Sequence, residues 1–317
     1  MPSNSSISYR LKNVYTVTFL KYVAHKRKQN NFSIKVYTLG KKNDVFYKKI
    51  KDFFHRILFY CSYLNKYNFF IETYNTFPHS SGIASSASSM SSIALCIMDL
   101  EKKISSSLLE DDFFFKKASF LARLGSGSAC RSIYSKLSVW GKHKLIKNSN
   151  NFYSIPYPYI VHPIFKQMED TILIVDETPK ALSSSKGHDL MNINKHPYAK
   201  ERFKLAYNNM KKLIHILYSG DIEEFGKVIE QEALNLHAMI MTSNPYYLLM
   251  KPNTVKIIHK IWDFRIKSKK NIYFTLDAGA NMHLLYPSKY KDMFLNWIVK
   301  NLSFYYKNII KSFCQWN

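Results

Sequence analysis

Small and hydroxylated residues between positions 75 and 90 have the composition of a loop that binds phosphate. The segment reads Asn75-Thr-Phe-Pro-His-Ser-Ser-Gly-Ile-Ala-Ser-Ser-Ala-Ser-Ser-Met90, with a strand-like run before it and a helical apolar pattern after it. At a junction from strand to helix, free backbone N–H groups, the helix dipole and nearby hydroxyls attract an anion. A Ser-rich linker or an ordinary helix cap would have the same composition. The predicted phosphate contacts are Ser81, Gly82, Ser85 and Ser86.

A second polar segment, 125–132, reads Gly-Ser-Gly-Ser-Ala-Cys-Arg-Ser and places hydroxyls and backbone N–H groups beside a guanidinium. Arg131 can hold a carboxylate or a phosphate through two parallel hydrogen bonds. By itself, the pattern is more often a flexible turn between a helix and a strand. Cys130 has no base close to it in the sequence that would activate a nucleophile, so we expect its thiol to pack.

A single carboxylate, Asp277, follows the strand-like run 271–276 and opens the loop Asp-Ala-Gly-Ala-Asn281. At the end of a strand, beside a glycine-containing loop, an aspartate can face a cleft and take part in proton transfer. A lone aspartate in such a place more often closes a turn. His283, two residues beyond the loop, has no spacing typical of a metal ligand, and we expect it to be a hydrogen-bonding or surface residue.

Strand-like and helix-like patterns mix along the chain, which predicts an α+β protein of two lobes. The polar run 142–154 is the best candidate for a linker, so the expected lobes are 1–150 and 151–317. The expected strands are 14–20, 33–39, 69–74, 134–140, 171–175, 271–276 and 282–286. The expected helices are 46–64, one through positions 93–100, one from Asp111, and 198–218, 222–241, 255–267 and 290–310.

The net charge of +24 raises the alternative of a basic nucleic-acid-binding protein. Only 7 of the 46 basic residues are arginines, although arginine is the residue that suits bidentate recognition of phosphates and bases. The lysines are scattered, and they are abundant together with other residues of AT-rich codons. A biased genome explains the charge at least as well as a ligand does, and we expect no nucleic-acid partner.

The composition also indicates where in the cell the protein is located. No apolar run reaches the length of about 18 residues that spans a bilayer, so we expect no membrane partner. The four cysteines are widely spaced and contain no Cys-x-x-Cys pair, which predicts reduced thiols and no structural metal. The expected location is the cytoplasm.

Three segments together resemble the diphosphomevalonate decarboxylase family, within the superfamily of galactokinase, homoserine kinase and mevalonate kinase. Pro78-x-x-x-Gly-Ile-Ala-Ser-Ser-Ala87 is similar to the superfamily's phosphate loop. Arg123-Leu-Gly-Ser-Gly-Ser-Ala-Cys-Arg-Ser132 is close to a signature of the decarboxylases that mevalonate kinase-like relatives lack. Asp277-Ala-Gly-Ala-Asn281 stands where the family has Asp-Ala-Gly-x-Asn.

The resemblance implies a role for each of these residues. Asp277 would be catalytic, orienting or deprotonating the C3 hydroxyl so that its oxygen attacks the γ-phosphate of ATP. Arg131 would hold the substrate carboxylate, and Ser126 and Ser128 would line the diphosphate site. The loop 183–188 resembles a family loop that borders the site. The remaining implied contacts are Ser184 for the substrate and Ser86 for the ATP phosphates and, indirectly, Mg²⁺.

The resemblance also implies the fold, the reaction and the partners. The N-terminal lobe would be ribosomal-protein-S5-like and the C-terminal lobe ferredoxin-like, in a homodimer. With ATP and Mg²⁺ the chain would convert 5-diphosphomevalonate to isopentenyl diphosphate, ADP, phosphate and CO2. The alternatives are a small-molecule kinase of the same superfamily that does not decarboxylate, and a truncated inactive relative.

The sequence departs from the family pattern at its start. The family's first strand contains Lys-Tyr-Trp-Gly-Lys and supplies a Lys and a Tyr to the substrate, whereas residues 2–8 resemble the element after it. We therefore expect the upstream reading frame to encode that strand, and the chain made as written to be aggregation-prone and nearly inactive. The alternative is that another basic residue, Lys21 or Lys186, supplies the lost charge.

Overall fold

A computed structural model describes residues 2–25, 31–77, 84–105, 110–178, 190 and 196–315. Helices and strands mix along the chain, and the α+β prediction is confirmed. The described helices are α1 (Asp44–Ile57), α2 (Ser85–Ile104), α3 (Asp111–Gly125), α4 (Pro163–Lys166), α5 (Ala199–Ser219), α6 (Ile222–Met241), α7 (Pro252–Ser268) and α8 (Lys291–Leu302). The described strands are β1 (Ser6–Ser8), β2 (Arg10–Leu11), β3 (Thr16–Ala24), β4 (Ser33–Thr38), β5 (Lys41–Lys42), β6 (Tyr67–Asn75), β7 (Ser138–Trp140), β8 (Ile155–Pro156), β9 (Met168–Ile174), β10 (Tyr273–Leu276), β11 (Met282–Pro287) and β12 (Asn308–Gln315).

Helices α1, α2 and α3 share one hydrophobic core with a four-stranded sheet in the order β3-β6-β4-β5. Strand β6 is antiparallel to β3 and parallel to β4. Apolar residues recur at helical spacing on one side of α2, and that side is buried against this core. Since β6 leads towards α2, the sheet and the helix together determine where the predicted phosphate loop begins and ends.

A small sheet of three short strands, in the order β1-β7-β8, lies beside the 125–132 segment. Ser6 pairs with Trp140 in this sheet. The strand predicted over 134–140 forms only at Ser138–Trp140. The residues before it, Gly127–Ile133, form a 3₁₀ helix that carries the serine-rich segment.

The largest sheet has five strands in the order β10-β11-β9-β12-β2. All seven residues of β9 are buried, because other parts of the chain cover both faces of the strand, including Phe77, Leu11 and Val14 over Ile172 and Ile174. Phe274 and Leu284 pack on one face with α7 and α8. Tyr273 and Leu285 pack on the other face with α5 and α6. Asp277 lies in the loop that joins β10 to β11. Most residues of these two strands are buried.

The predicted closing helix over 290–310 is wrong in its second half. Helix α8 ends at Leu302, a 3₁₀ turn follows at Ser303–Tyr305, and residues 308–315 form β12. This strand fills the place between β9 and β2, where it supplies hydrogen bonds to an otherwise unpaired edge. The aromatic and β-branched residues of the segment suit a strand as well as a helix. The segment forms a strand because it can pair with the free edge of β9.

The polar run 142–154 is not a loose linker. His143 is buried, and its Nε2 lies 3.3 Å from the carbonyl of Tyr207 on α5. Ser154 is also buried, at 2.9 Å from the hydroxyl of Ser119 through its backbone N–H. Short polar side chains satisfy the backbone groups of this run, and it folds against both lobes. The boundary between residues 150 and 151 stays a prediction.

Candidate active site

Two glycines in the 125–132 segment allow close packing. A Cβ atom on Gly125 would lie 2.9 Å from the sulfur of Met90 and 3.0 Å from the ring of Phe53. A Cβ atom on Gly127 would lie 3.3 Å from the ring of Trp140. The glycines therefore let the end of α3 press against α2 and let the 3₁₀ turn press against β7.

Cys130 is a packing residue, as predicted. Its thiol is buried and donates a hydrogen bond to the carbonyl of Gly127 at 3.1 Å. Burial raises the pKa of Cys130 to about 12, although Arg131 and Arg123 act in the opposite direction. A thiol with such a pKa is protonated at neutral pH and is no nucleophile.

Arg131 is positively charged and forms no ion pair with any residue that the structure describes. Its Nη1 donates to the hydroxyl of Ser6 at 2.5 Å, and its guanidinium carbon lies 6.0 Å from the centre of the Trp140 ring. The side chain is enclosed by protein, and this burial lowers the pKa of Arg131, while the charge of Asp277 raises it. No carboxylate of the described ranges lies within ion-pair distance, so most of the guanidinium fork can receive a carboxylate ligand.

Ser126 and Ser128 stand on the same turn as Arg131. The backbone of Ser126 is fixed, because its N–H donates to the carbonyl of Ala122 at 3.0 Å and its carbonyl accepts from Ala129 at 2.8 Å. Both serines are partly exposed, and neither hydroxyl has a partner among the residues that the structure describes. A fixed backbone with free hydroxyls is an arrangement that can bind an anionic group.

The loop that opens at Asp277 is held by hydrogen bonds. The Asp277 carboxylate is exposed and accepts from the N–H of Ala278 at 2.8 Å. The Asp277 carbonyl lies 3.1 Å from Nε2 of His237, and the hydroxyl of Thr254 donates to the carbonyl of Ala280 at 2.9 Å. The carboxylate thus has a defined position while its outer face stays open to a ligand.

Asn281 ties this loop to the end of β9. Its Oδ1 accepts from the backbone N–H groups of Val175 at 2.8 Å and Asp176 at 2.9 Å. Its Nδ2 donates to the carbonyl of Asp176 at 3.1 Å. Because Asn281 is buried, these three bonds replace water and fix the loop to the sheet.

Arg131 and Asp277 come from different lobes and face the same region. The charge of Asp277 is close enough to raise the pKa of Arg131, and it also raises the pKa of His283. The guanidinium and the exposed carboxylate are therefore close enough for their charges to interact, and their roles in a site stay predictions. Such a pair can hold an anionic substrate and take up or orient a proton in the same cleft.

A buried polar cluster beside this pair was missed. The prediction that His283 is a hydrogen-bonding or surface residue is confirmed in its first form, since its Nδ1 lies 2.9 Å from the carboxylate of Asp170, which is fully buried. The hydroxyl of Tyr9 donates to the same carboxylate at 2.9 Å. The signal in the sequence is an acidic pair, Glu169 and Asp170, directly before the apolar strand, since a buried carboxylate needs partners.

Helix α2 begins at Ser85, the third part of the candidate site. Ala84, directly before it, has a left-handed backbone with φ of 50°. Ser85 is partly exposed and Ser86 is exposed, and the described part of the chain offers no acceptor to their backbone N–H groups. The start of the helix is anchored by Thr16, whose hydroxyl lies 2.7 Å from that of Ser88. Ser81, Gly82 and Ser184 were also predicted as site residues and lie outside the described residues.

Two family models match the chain. One, described as the diphosphomevalonate decarboxylase-like N-terminal domain, matches residues 1–151. The other, described as the mevalonate 5-diphosphate decarboxylase C-terminal domain, matches residues 171–316.

Among curated proteins, the diphosphomevalonate decarboxylase of Ganoderma lucidum is 25% identical over 243 residues, which is 75% of this chain and 58% of that protein. For three such relatives, this one included, the match spans 57% to 59% of their own length. The chain thus covers about three fifths of the curated relatives that it matches.

The solved structures show the same fold. A mevalonate diphosphate decarboxylase from Legionella pneumophila is 24% identical, with a TM-score of 0.80 over 98% of this chain and 92% of that one. A structure of MDDEF in complex with MVAPP, AMPPCP and magnesium is 23% identical, with a TM-score of 0.79 over 99% of this chain and 89% of that one. The predicted two-lobe fold is confirmed by this agreement.

Proposed function

Because the chain belongs to the diphosphomevalonate decarboxylase family, we propose that it catalyses the ATP-dependent decarboxylation of 5-diphosphomevalonate. The products would be isopentenyl diphosphate, ADP, phosphate and CO2. The observation that carries the proposal is the guanidinium of Arg131 without an ion pair among the described residues, together with the exposed carboxylate of Asp277, whose charge raises the pKa of Arg131. The complex of a similar protein with MVAPP, AMPPCP and magnesium supports the same ligand classes.

Asp277 would act first. Its carboxylate is exposed on a loop fixed by hydrogen bonds, so it can accept the proton of the tertiary C3 hydroxyl and aim the oxygen. That oxygen forms a bond to the γ-phosphorus of ATP while the bond from the γ-phosphorus to ADP breaks. The hydroxyl thereby becomes a phosphate, which is a far better leaving group.

Arg131 would control the second half of the reaction. The C3–O bond breaks with its electrons on the departing phosphate, and the bond to the carboxylate breaks to give CO2 and the new alkene. The unpaired guanidinium of Arg131 can hold that carboxylate in line with the breaking C3–O bond. Ser126 and Ser128, on the same turn, would bind the diphosphate through their free hydroxyls.

The start of α2 suits ATP and Mg²⁺. Ser85 and Ser86 offer hydroxyls and first-turn N–H groups to phosphate oxygens. Within the described ranges no three acidic, histidine or cysteine side chains gather as a metal cage, and Mg²⁺ bound through phosphates plus a protein oxygen such as that of Ser86 needs none. Mg²⁺, when bound, supplies charge that offsets the transferring phosphoryl group. Ser81 and Gly82 would extend the phosphate contacts, and Ser184 would touch the substrate.

Three further parts of the proposal concern organisation. We place the lobes at 1–150 and 151–317, and we propose a homodimer by the family resemblance, which sedimentation of the purified chain would check. We also propose a cytoplasmic location, supported by four cysteines that form no disulfide bond among the described residues. In the described part of the chain, no helix is long and apolar enough to cross a bilayer.

The test of the function is Asp277→Asn, assayed for release of ADP and CO2 from ATP and 5-diphosphomevalonate. The amide keeps the shape of the side chain but removes the proton acceptor, so both products should almost disappear. Asp263→Asn, an equally exposed aspartate on α7, is the matched control and should leave both rates unchanged. Persistent ADP release without CO2 would place Asp277 after phosphoryl transfer and contradict its assigned role.

The parent chain decides between the two reaction types in the same assay. Equal amounts of ADP and CO2 indicate decarboxylation, whereas ADP alone indicates a kinase of the same superfamily. Repeating the assay with the chain extended by its upstream reading frame tests the expectation about the first strand. An unchanged rate in the extended chain would contradict that expectation.

A further inference from the structure

The cluster of Tyr9, Asp170 and His283 joins three separate segments beside the candidate site. Asp170 is fully buried, and its carboxylate accepts from Tyr9 and from His283, each at 2.9 Å. Burial, followed by the charge of Asp170, raises the pKa of Tyr9 well above 10, so the phenol stays a donor. Because Nδ1 of His283 lies at hydrogen-bond distance from the carboxylate of Asp170, the ring has a fixed orientation and Nδ1 carries a proton.

The sheet register places this ring next to Asp277. His283 on β11 pairs with Thr275 on β10, and Asp277 comes two residues after Thr275. Alternate residues of a strand share one face, so the segment that carries Asp277 leaves the sheet on the side of His283. The side chain of His283 is 16% exposed, and among the described residues Nε2 has no hydrogen-bond partner. His283 and the strand that leads to Asp277 therefore meet on the same face of the sheet at Thr275.

We propose that His283 is a positioning residue for Asp277, an imidazolium held by the buried carboxylate of Asp170. The cation of His283 and the guanidinium of Arg131 flank the Asp277 carboxylate and keep it where the substrate hydroxyl arrives. Asp170 fixes the charge and the ring, and Tyr9 fixes Asp170. This inference rests on the proposed function, because it assigns His283 a role only through Asp277.

The charged groups around His283 set its titration. Asp170 faces it from β9 and Asp277 from the loop, Tyr9 contacts Asp170, and Cys314 contacts Tyr9. Arg131 and His237 approach Asp277. Burial lowers the pKa of His283, but Asp170 and then Asp277 raise it above its ordinary value of 6.5.

The sign of the pH effect follows from that shift. Since the pKa of folded His283 lies above 6.5, the imidazolium is present below that raised value and is lost as the pH rises through it. Turnover should therefore fall on the alkaline side as His283 loses its proton. The same deprotonation removes the stabilisation that the His283–Asp170 pair gives the fold.

A direct test is the NMR titration of the His283 ring in the full chain, assigned by comparison with His283→Gln. The parent ring should titrate above 6.5. Asp277→Asn should lower that value, and Asp170→Asn should lower it further. His143, a buried histidine whose pKa is lowered by burial, is the internal control and should not move. An unchanged His283 titration in Asp277→Asn would overturn the proposal, whatever the enzymatic rates.

The kinetic test separates positioning from structure. His283→Gln should lower kcat about 10-fold to 100-fold, the cost of a misplaced reacting group, with the KM for ATP unchanged. His283→Lys keeps a cation, so it should restore most of the rate and move the alkaline limb to higher pH. If His283→Gln has the kcat and pH profile of the parent while Asp277→Asn is inactive, the role of His283 is contradicted and the proposed function is not. Full activity in Asp277→Asn would instead sink the proposed function.

Discussion

The turn that carries Arg131 and the loop that carries Asp277 differ in how much close packing contributes to them. In addition to its hydrogen bonds, such as those of the Cys130 carbonyl with Ser119 and Ser154, the turn has close contacts of Gly125 with Met90 and of Gly127 with Trp140. The loop is held by hydrogen bonds, of which three come from the side chain of Asn281 alone. Packing is sensitive to volume, whereas buried hydrogen bonds are sensitive to polarity. The two halves of the site should therefore fail under different substitutions.

The largest effect should come from the charged group itself. We expect Arg131→Gln to lower the rate of CO2 release on the order of 30-fold to 1000-fold, or about 2–4 kcal/mol, because an aligned charge-assisted pair is lost. Stability and the KM for ATP should change little. Arg131→Lys keeps the charge without the fork and should fall between parent and Gln. An unchanged rate in Arg131→Gln would remove this residue from the mechanism.

The hydrogen-bonded loop should be broken by loss of polarity at Asn281. In Asn281→Ala the buried backbone groups of Val175 and Asp176 lose their partners, at about 1–3 kcal/mol for each group left unsatisfied. Both the midpoint of urea unfolding and kcat should fall. Asn301→Ala, which removes a single bond to the carbonyl of Trp297 on α8, is the control and should have a small effect. Equal losses in the two variants would mean that Asn281 does not hold the loop.

The packed turn should be broken by one methyl group. Gly125→Ala places a Cβ atom at 2.9 Å from the sulfur of Met90, and overpacking of this kind costs about 1–3 kcal/mol in unfolding free energy. Gly127→Ala, at 3.3 Å from Trp140, should cost less. Thermal unfolding of both variants checks the order. A Gly127 variant less stable than the Gly125 variant would contradict the packing account of the turn.

The sequence predicts chemical groups for the site but not the structure that supports them. Arg131 and Asp277 are predicted as site residues because their motifs resemble those of the family, since either pattern alone is more often a turn. The contact of Arg131 with Ser6 joins segments 125 residues apart in the chain, and no local pattern encodes it. The same holds for the bond from Asp170 to His283, which depends on sheet register.

The elements show the same division between local and distant causes. The bounds of α6 agree with the prediction of 222–241, because Gly220 has a left-handed φ of 84° and Asp221 caps the helix at the N–H of Glu224. Those signals are local. The error over 290–310 arises because β9 offers an edge to a segment whose own residues suit two structures. Tertiary context decides such segments.

The smallest effect should come from Cys130→Ala. Its thiol is buried with a pKa raised to about 12 by burial, so it takes no part in the chemistry, and kcat should not change. Removing one buried sulfur should cost about 1 kcal/mol of stability. The parent should also keep its activity after iodoacetamide treatment under native conditions. A large loss of kcat would mean that the turn depends on more than volume at this position.

The place of β12 has a kinetic consequence. This strand lies between β9 and β2 in the sheet, although it follows β9 only after the described helices α5 to α8 and the strands β10 and β11, of which β11 is the other neighbour of β9. During synthesis, one edge of the apolar strand β9 stays unpaired until residues 308–315 leave the ribosome. The pairing then closes a long loop, which is slow. The intermediate is therefore exposed to association with other chains. Yield on expression should thus depend on temperature and chaperones through this one late pairing.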